Sequence, residues 1–544
     1  MLGGQSSHLQ VPVLFRSRVL ATAITLTLAT GVLLPDRLSA QDSRLPSMGS
    51  SADALLSPTQ QAGYGAMMLM QLRHMNLTME DPLLNEWIQS VGHKLVAANN
   101  QPDASFHYFL MREREINAFA TLGGYIGVNS GLILLAEKED ELAGVLAHET
   151  AHVTQAHVLR AVEQAKRDQL PILLAMLGAI AVSQTVGGSS AANGTMAAVM
   201  GAQGLMVQRQ INYTRGREAE ADRVGIRLLT RAGYSADAMA TFFERMQNAM
   251  RANRGGDREE TPDYLLTHPV TQVRIAEAKE RARTFHSNAG FAVGTGGNNP
   301  LLPGNMQVTS STRFTTQSNF DFARERIRAL SASTSTLAVR EYLDYGKAGD
   351  LPDSKRYGMA VAQIRGAHYA EALSTLAKIS PAGQQHPWVE LTRAEALGLS
   401  GNAAAADAAF ESLLTRMPNS QPVALTYAQV LTRRNNKTSG ARAQAVLRNI
   451  AAAAGDDPTF QTAYARANEI AGDTVRAGEA HAEAAYLTGN PEAALMQLHT
   501  LKARPDLDYY ARARIDARIA SMTPVVLELR RQGFKDWDGP QRDR

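Results

Sequence analysis

The 544-residue chain contains no cysteine. This absence excludes disulfide bonds, a thiolate nucleophile and cysteine-ligated metal centres, and it fits an oxidising envelope compartment. Aromatic residues make up only 6% of the chain, which favours helices packed through alanine and leucine over a large sheet. Neither sign of charge dominates, with 55 Lys and Arg against 52 Asp and Glu, so nothing indicates nucleic acid as a partner. A chain of this length predicts several domains rather than one.

The N-terminal segment is typical of a secretory signal peptide. Basic Arg16 and Arg18 precede the apolar stretch Val19–Leu34, and small residues end the segment at Ala40. The apolar stretch is shorter than the ~20 residues that a membrane-spanning helix needs. We therefore predict a signal peptide over 1–40, cleavage after Ala40, export to the periplasm and a short N-terminal tail over 41–61. An uncleaved N-terminal anchor is the alternative interpretation.

The segment His148-Glu-Thr-Ala-His152 lies in an apolar-periodic region that predicts a helix. Residues four apart share a helix face, so His148 and His152 would present two imidazole nitrogens to one zinc ion. Glu149, beside the first histidine, would take a proton from the attacking water and pass it to the leaving amine. An isolated motif of this kind also arises by chance, as a solvated charged helix face.

A third zinc ligand is expected downstream. Glu218 and Asp222 lie four residues apart on the next strongly helical segment and therefore share a face. Glu218 would complete a site with two histidines and one glutamate, and Asp222 would orient a zinc histidine, which we interpret as His148.

Two neighbouring residues are not expected to bind the metal. Glu220 points to another side of the helix from Glu218 and suits a solvated acidic helix start. His157 falls far around the helix from His152, and no glycine between them turns the chain back. We therefore reject His157 as a ligand.

The candidate site belongs to a predicted α+β domain over 62–285. Within it, Leu170–Val186 carries no charge, and a Gly- and Ser-rich break separates it from a second apolar stretch that ends near Val207. We interpret this region as a buried helical hairpin; the alternative is a loop that contacts a membrane surface or covers a substrate groove. The predicted elements are helices over 62–98, 137–162 and 208–283 and strands over 105–111 and 124–128.

Residues 319–535 predict an all-α, tetratricopeptide-like solenoid of about four or five repeats. Glycines end helices, and prolines begin intervening helices at a spacing close to the ~34-residue tetratricopeptide period. A generic helical bundle is the alternative. Gly- and Pro-rich sequence makes 286–318 a linker, and 536–544 forms a C-terminal tail. The glycines are Gly366, Gly401, Gly440 and Gly489, and the prolines are Pro387, Pro422 and Pro458.

Together these features resemble the peptidase family of membrane prenyl-protein proteases and HtpX-type proteases. The resemblance covers about residues 60–285, and the repeats in architecture only. The signal peptide and repeat domain are similar to the soluble branch of the family, the periplasmic beta-barrel assembly-enhancing proteases. The motifs are Asn117–Ala120, Gly123–Ile126, Gly131-Leu132, Leu142–Glu149, Glu218–Asp222, Thr267–Pro269 and Arg274.

The resemblance implies a gluzincin-like fold and one zinc ion per chain. His148, His152 and Glu218 would bind the zinc, and Glu149 would be the general base and acid. The strand Tyr125–Val128 would pair with an extended substrate backbone, as edge strands do.

The resemblance also implies two roles around the cleft. Arg274 would help to stabilise the oxyanion of the tetrahedral intermediate. His268 would occupy the fourth zinc position and hold the enzyme shut. From the residues alone, His268 beside Pro269 in a loop is equally a surface histidine.

We therefore predict a periplasmic zinc-dependent endopeptidase that acts in outer-membrane protein quality control. By resemblance, it would hydrolyse misfolded or stalled β-barrel proteins and contact the β-barrel assembly machinery. One rival is a chaperone or assembly factor that acts through its repeats with little proteolysis; the presence of Glu149 argues against a dead site. A weaker rival is a membrane-embedded protease that uses Val19–Leu34 and Leu170–Val186 as anchors.

Overall fold

A computed structural model describes residues 56–98, 105–161, 163, 214–253, 264, 268–289 and 316–531. The predicted signal peptide, the tail up to residue 55, the apolar region 170–207, linker residues 290–315 and the C-terminal tail lie outside the described residues. Within the described part, no helix has the length and apolar character needed to cross a membrane.

The described N-terminal part begins with two helices, each capped before a proline. Ser57 accepts a hydrogen bond from the backbone of Gln60, and Asp81 accepts one from Leu84. Proline suits the first helical position because its missing N–H would have no intrahelical partner there. The break inside the predicted helical region therefore falls at Pro82. The helices are α1 (Pro58–His74) and α2 (Pro82–Ala97), so α1 begins before the predicted domain start at residue 62.

A small three-stranded sheet follows. The strands are β1 (His107–Met111), β2 (Ala118–Ala120) and β3 (Tyr125–Asn129). β3 lies in the middle, parallel to β1 and antiparallel to β2. The prediction that this strand is a free edge for substrate is wrong, because both of its sides are already paired. Only β1 and β3 were predicted; β2 is three residues long and too short for an alternation signal.

A buried helix runs from the sheet to the candidate site. After the short helix α3 (Ser130–Leu135), helix α4 spans Glu139–Thr154. Its acidic first turn is not solvated: Glu139 accepts hydrogen bonds from Trp87 and Tyr234. The helix ends at a turn where Ala156 has φ of 50°, and residues 157–161 are helical again. The predicted uninterrupted helix to Val162 is therefore wrong.

Among the residues that the structure describes, this part of the molecule continues with α5 (214–231), α6 (Ala238–Asn253) and α7 (Gln272–Ala289). α5 approaches α4 closely at Gly225, where a Cβ atom would come within 3.1 Å of the His148 amide nitrogen. Gly144 allows a similar approach of α6 to α4, near the backbone of Met239. These contacts place α5 beside the histidines of α4.

The rest of the described chain is all helical. Pro387 and Pro458 begin helices, and Pro422 is the second residue of another, as the repeat pattern predicted. Gly440 does not end a helix: it lies inside α16, where a Cβ would come within 2.8 Å of the Ala471 amide nitrogen. The helices are α8 (Thr316–Ser331), α9 (Ser335–Lys347), α10 (Asp353–Arg365), α11 (Tyr369–Ala377), α12 (Pro381–Gln384), α13 (Pro387–Leu399), α14 (Ala403–Arg416), α15 (Gln421–Arg433), α16 (Lys437–Arg448), α17 (Pro458–Ala471), α18 (Thr474–Leu487), α19 (Pro491–Lys502) and α20 (Tyr509–Arg531).

These later helices contact the first part of the chain at several points. Arg326 of α8 forms a two-pronged ion pair with Asp81, at 2.8 and 2.7 Å. A Cβ atom at Gly489, after α18, would lie 2.5 Å from the Met70 carbonyl oxygen of α1. The structure is thus mostly helical with one small sheet, and its C-terminal helices pack against the part that carries the candidate site.

Candidate metal centre

Helix α4 places two histidines on one face. The Nε2 atoms of His148 and His152 lie 3.0 Å apart. Thr150, between them, points the other way, and its hydroxyl lies 2.9 Å from that of Tyr108 on β1. Since α4 is buried around this point, the contact with the sheet holds the histidine face towards α5.

Helix α5 and the loop before α7 complete a cluster of four side chains. Glu218 lies 3.3 Å from His148 Nε2 and 3.4 Å from His152 Nε2. His268 Nδ1 lies 3.0 Å from Glu218 Oε1 and 3.4 Å from His148 Nε2. One donor atom from each of the four residues lies within 4.8 Å of all the others.

The shortest of these separations are close to those around a tetrahedral metal ion. Four ligands at the usual zinc distances would be about 3.3 Å from one another at the corners of a tetrahedron. The shortest separations among the four donors are 3.0 to 3.4 Å. Three imidazole nitrogens and one carboxylate oxygen also match the ligand types that zinc accepts.

The charges around the cluster favour a cation. Burial alone would lower the pKa of His148, but Asp222 and Glu218 outweigh it and raise the pKa to about 10. Burial lowers the pKa of His152 to about 3, which leaves its nitrogen lone pair available. Burial opposes the charged form of Glu218, but its contacts with His148, His152 and His268 hold its pKa below the usual range. Glu218 thus supplies a carboxylate charge and His152 a neutral imidazole, which are the donor forms that metal binding requires, and the raised pKa of His148 shows that its surroundings favour a positive charge.

Asp222 and Arg274 lie behind the cluster. Asp222 Oδ1 is 2.9 Å from His148 Nδ1, although the ring N–H is not aligned with that oxygen. The Arg274 guanidinium donates to both Asp222 oxygens, at 2.8 and 2.7 Å, and lies 2.9 Å from Glu218 Oε2. It also donates to the Pro269 carbonyl at 3.0 Å. Arg274 thus joins the α5 carboxylates to the His268 loop, rather than projecting a free cation into the cleft.

A second chain of contacts supports His152. His157 Nδ1 lies 3.0 Å from His152 Nδ1, and His157 Nε2 lies 3.1 Å from Glu220 Oε2. Arg160 pairs with the same Glu220 oxygen at 3.1 Å. His157 is not among the four clustered donors, but the expectation that Glu220 is merely solvated is wrong. The sequence did not predict these contacts between His152, His157 and Glu220, because the turn at Ala156 contains no glycine to indicate it.

The contacts from His152 through His157 to Glu220 predict a measurable effect on metal affinity. With Nε2 of His152 facing the metal, its Nδ1–H donates to His157, and His157 donates to Glu220; this fixes the orientation of the His152 ring. We expect Glu220→Gln to weaken metal binding about tenfold, as measured by competition with a chromophoric chelator. Glu244→Gln is the matched control, because Glu244 pairs with Lys279 on the surface. Equal affinities in the two variants would contradict the orienting role.

Glu149 lies deep in the site beside His268. It is 1% exposed, and its Oε1 atom has no hydrogen-bond partner among the described residues. Among the described residues, the cation-forming group that pairs with it is His268, whose Nε2 lies 3.8 Å from Glu149 Oε1. The His268 ring stacks on buried Tyr264 with centroids 4.8 Å apart, and its amide donates to the Tyr264 carbonyl at 2.7 Å. These contacts hold the His268 ring over the open side of the cluster.

Residues 82–282, from the start of α2 into α7, match the model of peptidase family M48. The beta-barrel assembly-enhancing protease of Escherichia coli K12 is 30% identical over 511 residues, which span 93% of this chain and 96% of that protein. The chain belongs to peptidase family M48, among its beta-barrel assembly-enhancing proteases. The resemblance drawn from the motifs is therefore confirmed, and the chain is a metalloprotease.

Other relatives match shorter parts of the chain. A Vibrio cholerae relative is 42% identical over 243 residues, which span 44% of this chain and about half, 48%, of that protein. The mitochondrial metalloendopeptidase OMA1 of Schizosaccharomyces pombe is 26% identical over 194 residues, or 36% of this chain and 52% of that protein. The chain therefore has relatives that match almost its whole length and others that match less than half of it.

Proposed function

We propose that the chain is a periplasmic zinc endopeptidase that hydrolyses unfolded or misassembled outer-membrane β-barrel proteins. His148, His152 and Glu218 would hold one zinc ion per chain. The observation that carries the proposal is the convergence of four donor atoms within 4.8 Å around a buried HExxH motif. The substrate class and the compartment rest on the signal-peptide pattern and on the name of the full-length relatives.

The chemistry divides between the metal and the protein side chains. When bound, zinc would polarise the scissile carbonyl and lower the pKa of the attacking water. Glu149 would accept the proton from that water and deliver it to the leaving amine. Its Oε1 atom is buried without a hydrogen-bond partner among the described residues, so this oxygen is free to accept the proton.

Arg274 serves in this proposal as a positioning residue. Its donors face Asp222, Glu218 and the Pro269 carbonyl, so it holds the carboxylates that orient the metal site. Oxyanion stabilisation by Arg274 stays a prediction, since it would require the guanidinium to exchange one of these contacts. The two roles differ in readout: loss of positioning lowers metal affinity, whereas loss of oxyanion stabilisation lowers kcat with the metal retained.

The substrate backbone would pair with β2 rather than with β3. β2 is an outer strand of the sheet, and its three residues Ala118–Ala120 pair with β3 on one side. α4 packs against β2, so a peptide added along its outer edge would run past the HExxH helix. The repeat helices, as a tetratricopeptide-like solenoid, would hold the rest of an extended client.

His268 would close the site, because its ring takes the position that substrate and water need. We expect His268→Ala to cut an unfolded β-barrel protein about tenfold faster than the wild type, because the competent fraction of the enzyme rises. The measurement is cleavage by the mature protein over time, with bound zinc quantified. His368→Ala, at an exposed histidine of the repeat helices, is the control.

The same experiment tests the proposed function. Slow cleavage by the wild type that accelerates in His268→Ala supports a self-inhibited protease. If both proteins bind zinc and the client but neither cuts it, the proteolytic role on this substrate is wrong. The repeat helices would then carry the main function, as in a chaperone.

A further inference from the structure

A cavity lined by many polar residues lies between the protease part and the repeat helices. Its volume is about 690 Å³, in the range typical of ligand sites. The loop between α1 and α2 and the residue after β1 form one wall, and helices α13, α15 and α17 form the other. Many of its side chains are uncharged hydrogen-bonding groups that suit backbone amides of any sequence. They include Asn76, Thr78, Thr426, Gln429, Thr432 and Thr459.

Four arginines line the cavity, and they divide into two kinds. Arg73 pairs with Glu80 at 2.8 Å, and Arg466 pairs with Glu469 at 2.8 Å, so both charges are compensated. Arg112 and Arg433 form no ion pair or side-chain hydrogen bond with any residue that the structure describes. The Nε atom of Arg112 is buried without a partner, which is costly for a charged donor.

Few carboxylates lie near these two charges. Among the lining residues only Glu80 and Glu395 are acidic, and Glu80 already forms an ion pair with Arg73. Glu395 interacts electrostatically with Arg433 but makes no ion pair within the described residues. Burial lowers the pKa of the neighbouring Arg365, and the charges of Arg112 and Arg114 lower it further. The cavity therefore favours an anion.

We propose that this cavity binds a carboxylate of an unfolded polypeptide, with Arg112 and Arg433 as its donors. Guanidinium groups match carboxylates geometrically, and the surrounding Thr, Asn and Gln side chains would hold the adjoining backbone. The ligand class rests on the proposed function, because a protease that captures unfolded chains encounters such groups. The carboxylate comes either from the chain terminus or from an Asp or Glu side chain.

Peptide binding to the full mature chain tests the proposal. The protein carries Glu149→Gln, so that the labelled peptide stays intact during fluorescence anisotropy measurements. One peptide without Asp or Glu is supplied as the free acid and as the C-terminal amide. A third peptide is amidated and contains one internal Glu. Binding of the free acid alone identifies the chain terminus as the source, and binding of the Glu-containing amide alone identifies a side chain. Equal binding of both shows that the cavity accepts either carboxylate.

Substitutions then locate the site. We expect Arg112→Gln and Arg433→Gln each to weaken binding of the acidic peptide about tenfold. Glu395→Gln should tighten it about threefold, because a repelling charge is removed. Arg448→Gln, at an exposed arginine outside the cavity, is the matched control and should have no effect.

Two results would overturn the proposal. One is equal affinity of the acid, the amide and the Glu-containing peptide for the protein with intact arginines. The other is unchanged affinity in Arg433→Gln, which lies at an exposed position and is not expected to disturb folding. The anisotropy experiment measures peptide binding without hydrolysis. A wild type that cuts no client would therefore refute the proposed function but would not change the measured affinities for the peptides.

Discussion

Glu149→Gln is expected to reduce peptide hydrolysis about 1,000-fold while the protein keeps its metal. The substitution preserves the shape of the side chain and removes its ability to accept a proton. Glu149 is 1% exposed, and it lies outside the four clustered donor atoms, so the metal ligands are unchanged. Cleavage of an unfolded client, measured beside zinc content, checks both parts of the prediction.

The comparison with Glu141→Gln controls for the loss of a buried carboxylate in the same helix. Glu141 is buried too, but it pairs with Arg245 at 3.0 Å and not with the cluster. This control should lose stability rather than activity per folded molecule, because it leaves Arg245 without one of its partners. Substantial hydrolysis by a zinc-loaded, folded Glu149→Gln protein would refute the general-base assignment.

Glu218→Gln is expected to weaken metal binding more than a hundredfold. Loss of a residue that only hydrogen-bonds to a metal ligand lowers affinity by roughly 10- to 100-fold. Glu218 is the proposed anionic ligand, and it lies within 3.3 Å of His148 and 3.4 Å of His152. Its removal also leaves the buried Arg274 guanidinium with Asp222 as its remaining carboxylate partner. Metal affinity from chelator competition, and cleavage at saturating zinc, are the measurements.

Three glutamates give a graded test of this assignment. Glu218→Gln should have the largest effect on affinity, Glu220→Gln an intermediate one and Glu244→Gln none. Glu218 would bind the metal directly, and Glu220 would orient His152 through His157. Glu244 only pairs with Lys279 on the surface. If Glu218→Gln and Glu244→Gln bind zinc equally well, Glu218 is not a ligand.

Much of the candidate site could be read from local spacing. His148 and His152 are four residues apart, as are Glu218 and Asp222, and helical geometry alone puts each pair on one face. The prolines that begin α13 and α17 restrict their own backbone, so the starts of these two helices could also be predicted. Such signals depend on neighbours within a turn or two, so no knowledge of packing is needed.

The pairing of the sheet and the roles of two polar residues depended on packing. β3 is a middle strand because the three-residue β2 covers its second side, and a strand of that length leaves no pattern. Arg274 is 52 residues from Asp222, and only the approach of α7 to α5 makes them an ion pair. The turn at Ala156 brings His157 back to His152 against the usual preference of a non-glycine residue.

The sequence by itself determined the family, the HExxH helix, the carboxylate pair of α5 and the mostly helical C-terminal part. The tertiary structure decided between a surface histidine and the cluster position that the resemblance implied for His268, which is 120 residues from His148 and 50 from Glu218. It also decided that Arg112 and Arg433 share a cavity without ion-pair partners among the described residues. Periodicity and capping are local, whereas these contacts exist only after distant segments have packed together.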